Sequence, residues 1–440
     1  MNQEPGGIAG RLTGVMRSSL LRNSSFIMAA TIVNGALGFV YWTIIARASH
    51  ASDVGLASAV IAAFTLTSLL ANVGIAQLLI QVLPKLNDDE SWSSFVTVGL
   101  GSVAAFATVV GLLAGCILPL LSPNFAELRR PEVLALFAIG AGASTAAIGL
   151  DAVYVASRRS EQMLIRNLAF GTGKALLILA ALPLVGMLHS SVIVTSWVAG
   201  LVISLVFGAC FLIPRVRAGA RPSVRGGLRP VVRWWKSMTG HHIANVGGIL
   251  VPFLLPILVV IRLSAQANAF YYLTWSVGAI FFMVSPAVAT SLFAEGSHGE
   301  QIKGNVRRCA IFIGAILVPA IVFTMVFSYQ ILLIFGRQYA VRGSTLLVLL
   351  AFSAIPDAIT NIAVSVLRVE GRLRTAATLN LSMAAIAIGL TWVLLPHFGI
   401  LAPGIAWITA QTTGALAVGI GAIVPYRVAG RPGRAPEAGA

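Results

Sequence analysis

Twelve long apolar runs, each of about 20 to 30 residues and almost free of charge, follow one another along the chain. An α-helix of about 20 apolar residues crosses the roughly 30 Å hydrocarbon core of a bilayer, because each residue adds about 1.5 Å. Only 10% of the 440 residues are charged, and 58% are hydrophobic. This pattern predicts an all-α polytopic membrane protein and excludes a soluble globular domain.

The spans predicted from these runs are bounded by the short clusters that hold most of the charges. In chain order they are 23–46, 54–83, 92–121, 133–157, 167–188, 192–213, 243–261, 268–294, 309–329, 344–367, 375–395 and 400–424. An even number of spans places both termini on the same side of the membrane.

The distribution of Lys and Arg predicts which side that is. With the N-terminus inside, 23 of the 30 Lys and Arg residues fall in inner segments, six fall in outer segments, and Lys174 lies within a span. Lys and Arg collect on the cytoplasmic side of membrane proteins. We therefore expect both termini in the cytoplasm. The same rule explains the net charge of +16 without nucleic acid as a partner.

The longest inner loop, 214–240, is rich in Arg, Gly and Pro and predicts a linker between two halves. We expect a cytoplasmic tail at 1–22, a six-helix lobe at 23–213, the basic linker, a second six-helix lobe at 241–425 and a tail at 426–440. Arg47 and Asp53 at the end of span 1 are echoed by Arg262 and Asn268 at the end of span 7. The echo favours a parallel repeat of the two halves.

Two opposite charges lie within the spans of the first half. Asp151 in span 4 and Lys174 in span 5 are at similar depth, because the two helices are antiparallel and joined by a short loop. A charge in hydrocarbon costs roughly 3 kcal/mol or more, so it pairs, snorkels or lines a wet cavity. One hypothesis is an intramembrane ion pair with a role in coupling or anion binding. In the alternative, Lys174 snorkels and Asp151 meets Arg158.

Asp357 in span 10 lies deeper, directly after Pro356, with Asn361 one helical turn further on. The neighbouring span 11 has no Lys or Arg at that depth. A carboxyl group without a cation in this environment favours binding a proton, so Asp357 and Asn361 are candidates for coupling or gating. The alternative is a neutral, hydrogen-bonded acid that stabilises a proline kink.

Span ends and prolines provide the remaining candidates. Arg47 and Arg262 occupy corresponding outer ends, either as interface anchors or as a cationic rim for a phosphate-bearing head group. Pro252 and Pro256 in span 7 predict a hinge. An interfacial aromatic belt, with sugar stacking as the alternative, is predicted near the outer ends of spans 1 and 8 from Tyr41, Trp42, Tyr271, Tyr272 and Trp275.

No catalytic, cofactor-binding or metal-binding motif is evident. The sequence contains no nucleophile elbow, phosphate-cradling glycine loop or HExxH motif, and its three cysteines lack metal-ligand spacing. We therefore expect a protein that is not an enzyme and that needs no cofactor or metal.

Several short motifs carry a family resemblance: Arg22-Asn23-Ser24-Ser25, Asn34-Gly35, Ala46-Arg47, Asp53-Val54-Gly55-Leu56, Ser285-Pro286-Ala287 and Ser291-Leu292-Phe293-Ala294-Glu295. With the six-plus-six layout they resemble polysaccharide exporters of the MOP flippase superfamily, the Wzx-like branch. The resemblance implies two six-helix bundles of the MATE type and alternating access. It also implies passage of an undecaprenyl-diphosphate-linked oligosaccharide to the outer leaflet of a bacterial plasma membrane, in the synthesis of surface polysaccharide.

The implied partners are the lipid-linked oligosaccharide and membrane lipids. Arg47, Lys174 and Arg262 would contact the anionic head group, while Asp151, Asp357 and Asn361 would act in coupling or gating. Coupling to protons or sodium, and contact with polysaccharide polymerase or assembly proteins, are further hypotheses.

Rival readings are a cation-coupled multidrug exporter of the same superfamily and a lipid II-type flippase, which usually has two more spans. Others are a membrane glycosyltransferase or polymerase, which needs a large outer loop that this sequence lacks, and a non-transporting scaffold.

Overall fold

The computed structural model describes residues 19–224, 250–286, 288 and 302–428. Within these ranges the regular structure is helical and no strand is present. The predicted all-α class is therefore confirmed.

The first group of helices covers the N-terminal part of the chain. They are α1 (Ser19–Ala48), α2 (Ala51–Ala71), α3 (Ile75–Val82), α4 (Asp89–Leu121), α5 (Pro131–Ala156), α6 (Ser160–Val185) and α7 (Ser190–Phe207). A 3-10 turn follows α3 at Leu83–Lys85, and another follows α4 at Pro123–Arg129. A π-helical segment, Gly208–Leu212, continues α7 into a last α-turn at Ile213–Val216.

The remaining helices are α8 (Leu250–Arg262), α9 (Ala265–Gly278), α10 (Ile302–Leu333), α11 (Arg337–Val369), α12 (Leu373–Phe398) and α13 (Ala402–Val428). Ten helical segments of the described chain are long and apolar enough to cross a membrane. The tenth, Leu373–Gly419, contains α12 and most of α13. The chain is thus a multi-pass membrane protein.

The predicted span 54–83 is not one helix. The α-helical backbone breaks at residues 72–74, where Val73 has φ +46° and Gly74 has φ +86°. Glycine adopts positive φ without steric cost, whereas β-branched valine rarely does. A full span, α2, is therefore followed by the separate short apolar helix α3. The predicted continuation of two other runs, at 243–249 and 289–294, lies outside the described residues.

Packing divides the chain into two compact units. Unit 1 comprises residues 1–273 together with Ile334–Gly336, and unit 2 comprises Thr274–Leu333 with 337–440. In unit 1, α1 packs on α6, α4 on α5, and α6 on α7. In unit 2, α10 packs on α11, and α13 packs on both α11 and α12.

Each unit has an apolar interior built from small residues and interlocking side chains. In unit 1 the Phe64 and Phe137 rings meet edge to face at 6.0 Å, and Phe64 packs tightly on Gly140, where a Cβ would lie 3.1 Å from the Phe64 ring. In unit 2 the interior includes Ala351, Ala354 and Ala358 of α11, packed against apolar residues of α10. Small residues let membrane helices approach closely, which is how these helices gain van der Waals contact without a hydrophobic driving force.

The start of the predicted linker is attached to unit 1. Arg217 forms an ion pair with Asp89 and donates to the carbonyl oxygens of Leu86, at 3.1 Å, and Asn87. Next to it, the Ser91 N–H donates to Asp88 and holds the pKa of that exposed carboxyl below its usual value. The first linker residues therefore lie against the N-terminus of α4, whereas residues 225–240 fall outside the described part of the chain.

Candidate functional site

Lys174 lies inside unit 1, enclosed by aromatic rings. Its side chain is 3% exposed, and its Nζ atom lies 3.6 Å from the Trp197 ring centroid, 4.5 Å from that of Phe170 and 4.8 Å from that of Tyr41. All three distances are within the range of cation–π attraction. In the described part of the chain no carboxylate forms an ion pair with Lys174.

Three helices build this aromatic cage, defined as Tyr41, Phe170 and Trp197 around Lys174. Tyr41 belongs to α1, Phe170 precedes Lys174 by one turn on α6, and Trp197 belongs to α7. The Tyr41 hydroxyl donates to the Ile193 carbonyl oxygen at 3.1 Å and lies 2.8 Å from Ser196 Oγ. A Cβ at Gly200 would lie 2.9 Å from Lys174 Cβ, so glycine is what lets α7 approach α6 here.

The aromatic residues predicted as an interfacial belt are instead buried. Tyr41 and Tyr271 are 0% exposed and Trp42 is 4% exposed. The Trp42 ring lies 5.0 Å from that of Tyr272 and 6.2 Å from that of Trp197. The belt prediction is wrong for these residues, because their position near a span end did not reveal which face of the helix they occupy.

Asp151 pairs with Arg166, and neither predicted partner is correct. Arg166 Nε donates to Asp151 Oδ1 and Nη2 donates to Oδ2, both at 2.7 Å. Arg166 also donates to Asn167 Oδ1 at 2.9 Å and to Ser204 Oγ at 3.3 Å. Two parallel hydrogen bonds join the planar guanidinium to the carboxylate, a contact that the ammonium group of a lysine cannot form. Arg158, the other predicted partner, does not pair with Asp151.

Arg166 is the functional candidate that the sequence reasoning missed. The predicted span begins at residue 167 and leaves Arg166 among the 23 inner-segment charges, yet Arg166 is 3% exposed and lies six residues after the start of α6. The signal that could have found it is its symmetry with Asp151, which lies five residues before the end of α5. Two opposite charges at nearly the same distance from the turn of a helical hairpin are brought to a similar level.

Asp357 lies within a hydrogen-bonded cluster of unit 2. Its Oδ2 atom accepts from Ser285 Oγ at 2.9 Å and from Asn361 Nδ2 at 3.0 Å. Asn361 also donates to the Asp357 carbonyl oxygen at 2.9 Å. The side chain is buried, and no cation of the described residues forms an ion pair with it. The structure thus joins Asp357 to Asn361, as their spacing predicts, and adds Ser285.

The rim arginines and the span-7 prolines do not belong to the aromatic cage. Arg47 and Arg262 are both exposed, each at or next to the end of its helix, and Arg47 Nε donates to the Ile334 carbonyl oxygen at 2.8 Å. Pro252 and Pro256 lie in α8, whose helical backbone continues from Leu250 to Arg262. Their roles as anion contacts and hinge stay predictions.

Hydrogen bonds link the segment after Arg47 to the segment after Arg262, the two segments that resemble each other in sequence. Asn268 Nδ2 donates to the Gly55 carbonyl oxygen at 2.7 Å and to Ser58 Oγ at 3.0 Å. A Cβ at Gly55 would lie 1.6 Å from the Ala265 carbonyl oxygen. Glycine is therefore required where α2 meets the first turns of α9.

Comparison with known proteins agrees with this architecture. The family model described as "Polysaccharide biosynthesis protein" matches residues 20–233, just under half of the chain. No curated protein matches the chain.

Solved structures of similar fold span nearly the whole chain. An inward-facing multidrug resistance MATE family transporter of the MOP superfamily aligns with a TM-score of 0.70 at 12% identity, covering 91% of this chain and 95% of its own. The lipid II flippase MurJ in an inward closed conformation aligns with a TM-score of 0.69 at 10% identity, covering 90% and 87%. A MATE transporter of Vibrio cholerae aligns with a TM-score of 0.58 at 15% identity, covering 94% and 98%.

At these identities the structural matches establish the fold, which is MATE-like. The family match covers α1 to α7, the helices that carry the aromatic cage and the Asp151–Arg166 pair. The predicted resemblance to polysaccharide exporters is therefore confirmed over residues 20–233 by the family match, and the solved structures confirm the MATE-like fold over about 90% of the chain.

Proposed function

We propose that this protein is a flippase that moves an undecaprenyl-diphosphate-linked oligosaccharide from the inner to the outer leaflet of a bacterial plasma membrane, for surface polysaccharide synthesis. The proposal includes twelve spans in two six-helix lobes, at 23–213 and 241–425, with both termini in the cytoplasm. These lobes are defined by repeat along the chain, whereas the two units are defined by packing.

The observation that carries the proposal is the match of residues 20–233 to the polysaccharide biosynthesis family. The MATE-like fold adds an architecture that other members of the superfamily use for transport. The chemistry of unit 1 supports an anionic cargo, because the buried Lys174 forms no ion pair with a carboxylate in the described residues. A transporter of cations would place acidic groups where this chain places a lysine.

Each candidate residue has a role in this proposal. Lys174 is the deep cation for the diphosphate, and the aromatic cage holds its ammonium group when no cargo is present. Arg47 and Arg262 form an outer cationic rim that draws the head group across. Pro252 and Pro256 provide a hinge in α8.

Coupling and gating are assigned to the buried acids. Asp357, with Asn361 and Ser285, is the candidate proton or sodium site of unit 2, since an isolated buried carboxylate is stabilised by either cation. Asp151 is the candidate gate of unit 1. An association with polysaccharide polymerase or assembly proteins is part of the same hypothesis.

A second candidate function is cation-coupled multidrug export. It is favoured by the likeness to a multidrug resistance MATE family transporter over 91% of the chain. The two functions differ in the charge of the cargo. Purified protein should bind an anionic prenyl diphosphate under the flippase proposal, and a lipophilic cation such as tetraphenylphosphonium under the export proposal.

The flippase proposal is tested in the cells from which the chain comes. The gene is deleted, and the leaflet on which lipid-linked oligosaccharide accumulates is determined by its accessibility to an external glycosidase or lectin. Accumulation in the inner leaflet, reversed by the wild-type gene, is the expected result. Unchanged delivery to the outer leaflet, in cells without a second flippase, would exclude this function.

A further inference from the structure

The Asp151–Arg166 pair is surrounded by more hydrogen-bond donors than acceptors. Arg166 offers five N–H groups, and Asp151, Asn167 and Ser204 receive four of them. Among the described residues the buried Tyr154 hydroxyl has no hydrogen-bond partner, and the buried Asn167 Nδ2 group interacts with Asp151 without forming a regular hydrogen bond. A buried polar group without a partner costs about 1–3 kcal/mol, so each of these groups calls for an explanation.

The Tyr154 hydroxyl borders the same space as Arg166. A Cβ at Gly208 would lie 2.9 Å from the Tyr154 hydroxyl and 3.4 Å from Arg166 Cδ. The π-helical segment begins at this glycine, and Leu212 at its end packs with Tyr154. Single π-turns in long helices occur frequently at functional sites. The irregular turn, the unpaired hydroxyl and the buried guanidinium thus coincide at one place in unit 1.

An oxyanion with more oxygens than a carboxylate fits this set of donors. A carboxylate has two oxygens, and Asp151 uses both on Arg166. A phosphate offers at least three oxygens and forms the same two-pronged contact with a guanidinium. Its remaining oxygens could accept from Asn167 Nδ2 and from the Tyr154 hydroxyl.

Accessibility assigns different roles to the two charges. The Asp151 side chain is 19% exposed, whereas that of Arg166 is 4% exposed. The carboxylate therefore lies on the open side of the pair and covers the guanidinium. A ligand that reaches Arg166 must displace Asp151.

We infer that Arg166, with Asn167 and Tyr154, is a binding site for the phosphate group of the cargo, and that Asp151 occupies this site as an internal competitor until a phosphate replaces it. The inference rests on the proposed function for the identity of the cargo. The inference goes beyond the proposed function because Arg166, rather than Lys174, Arg47 or Arg262, is the residue that first binds the phosphate of the cargo. The pair lies about one and a half helical turns from the loop that joins α5 and α6, a loop predicted to be on the inner side.

The internal competitor makes the exchange reversible. Asp151 neutralises Arg166 when no cargo is bound, which avoids leaving a buried guanidinium unpaired. When the phosphate leaves, Asp151 returns to the site. The apparent association constant for phosphate is the intrinsic constant multiplied by the fraction of time for which Asp151 leaves Arg166 free.

The test measures binding to the purified full-length protein in lipid nanodiscs by isothermal titration calorimetry. The probes are farnesyl diphosphate, inorganic pyrophosphate and the neutral alcohol farnesol. Asp151→Asn should bind farnesyl diphosphate about tenfold more tightly than wild type, if Arg166 is free about a tenth of the time. Arg166→Gln and the double variant Asp151→Asn/Arg166→Gln should bind it weakly.

Tyr154→Phe is the second variant, because it leaves the ion pair in place. It should bind farnesyl diphosphate several-fold more weakly while Asp151 still pairs with Arg166. Arg159→Gln, which alters an exposed arginine in the loop that joins α5 and α6, is the matched control and should bind as wild type does. Stronger binding of farnesyl diphosphate than of pyrophosphate assigns the site to a lipid head group, and equal binding assigns it to phosphate in general.

Two results would overturn the inference: Asp151→Asn binding no more tightly than wild type, or Arg166→Gln binding equally well. The assay requires no transport, so the inference and the proposed function can fail separately. Binding that depends on Asp151 in a protein that moves no lipid-linked oligosaccharide would reject the function and retain the site. Transport of lipid-linked oligosaccharide without such binding would reject the site and retain the function.

Discussion

The Nζ atom of Lys174 lies 3.6 Å from the centroid of the Trp197 ring, inside unit 1. No carboxylate of the described residues forms an ion pair with this ammonium group. Removing an ammonium group from water costs several kcal/mol, whereas a desolvated cation–π contact returns about 2 kcal/mol. The cage reduces the cost of the buried lysine without cancelling it. A residue kept at such a cost is a candidate for function rather than for stability.

Replacing Lys174 by methionine should separate these two roles. Methionine has a similar length and no charge, so the cage can enclose it, and we expect the melting temperature in detergent to stay equal or to rise. Transport should fall at least tenfold, since the deep cation for the diphosphate is gone; one such charge-assisted contact contributes about 1.5–3 kcal/mol. The measurements are thermal unfolding and flipping in proteoliposomes.

Lys85→Met is the matched control, because Lys85 is an exposed lysine on a 3-10 turn of unit 1. It should leave both quantities near the wild-type values. Wild-type transport by Lys174→Met would remove Lys174 from the substrate site.

The contact between Lys174 and Trp197 should be visible as a coupling energy. Trp197→Leu, Lys174→Met and the double variant form a mutant cycle, in which the effect of each change depends on the other. We expect a coupling of about 1–2 kcal/mol in the free energy of unfolding, because the contact is shielded from water. Trp197→Phe retains an aromatic face and should lose less than Trp197→Leu. Purely additive effects would show that the ring only fills space.

Asp357→Asn should remove the response of transport to pH. The amide has the shape of the carboxyl, and its oxygen can still accept from Ser285 Oγ, so the protein should fold. It carries no ionisable proton, and the pH profile of transport should become flat if Asp357 is the coupling acid. Glu370→Gln, at an exposed carboxylate of unit 2, is the control. A profile identical to that of wild type would assign coupling to another group.

Gly55 should tolerate no side chain. In Gly55→Ala the new Cβ would meet the Ala265 carbonyl oxygen at 1.6 Å, which forces α2 away from α9 and weakens the contact of Asn268 with the Gly55 carbonyl oxygen. Overpacking of this kind costs about 1–3 kcal/mol, and the melting temperature should fall. Gly38→Ala on α1, where nothing lies within 4 Å, should leave it unchanged or slightly higher. Equal stabilities of the two variants would contradict the close approach.

The rim arginines should affect capture more than turnover. Arg47→Gln and Arg262→Gln each remove one exposed charge of the proposed outer rim, and we expect a lower apparent affinity for the anionic head group with a similar maximal rate. The difference from wild type should shrink at high salt, since exposed charges are screened within about 8 Å at physiological ionic strength. Arg130→Gln, at an outer arginine paired with Glu132, is the control. Unaltered affinity in both variants would exclude the cationic rim and favour the alternative, in which Arg47 and Arg262 are interface anchors.

The lengths of the uncharged apolar runs predicted most of the helices, because the thickness of the bilayer sets a minimum length for a helix that spans it. The runs at 92–121 and 133–157 correspond to α4 and α5 within a few residues. The same criterion failed at 54–83, where hydropathy stays high across the break at Val73 and Gly74. Backbone dihedral angles, rather than apolar content, end α2, and hydropathy does not report them.

Site residues were harder to predict because depth alone does not specify a partner. Asp151 and Lys174 lie inside α5 and α6, as predicted, but Asp151 pairs with Arg166, whereas Lys174 is enclosed by aromatic rings. Arg166 was read as a loop charge because the predicted span began at residue 167, whereas α6 begins at Ser160. In contrast, Asp357 and Asn361 lie one turn apart on one helix, so their contact followed from helical spacing.

The most direct measurement reconstitutes the purified full-length protein in liposomes with a lipid-linked oligosaccharide on one leaflet and follows its appearance on the other with a lectin. The account predicts flipping by wild type, at least tenfold slower flipping by Lys174→Met, and wild-type flipping by Lys85→Met. Flipping at the protein-free rate by the wild-type protein, with export of a lipophilic cation from the same liposomes, would contradict it.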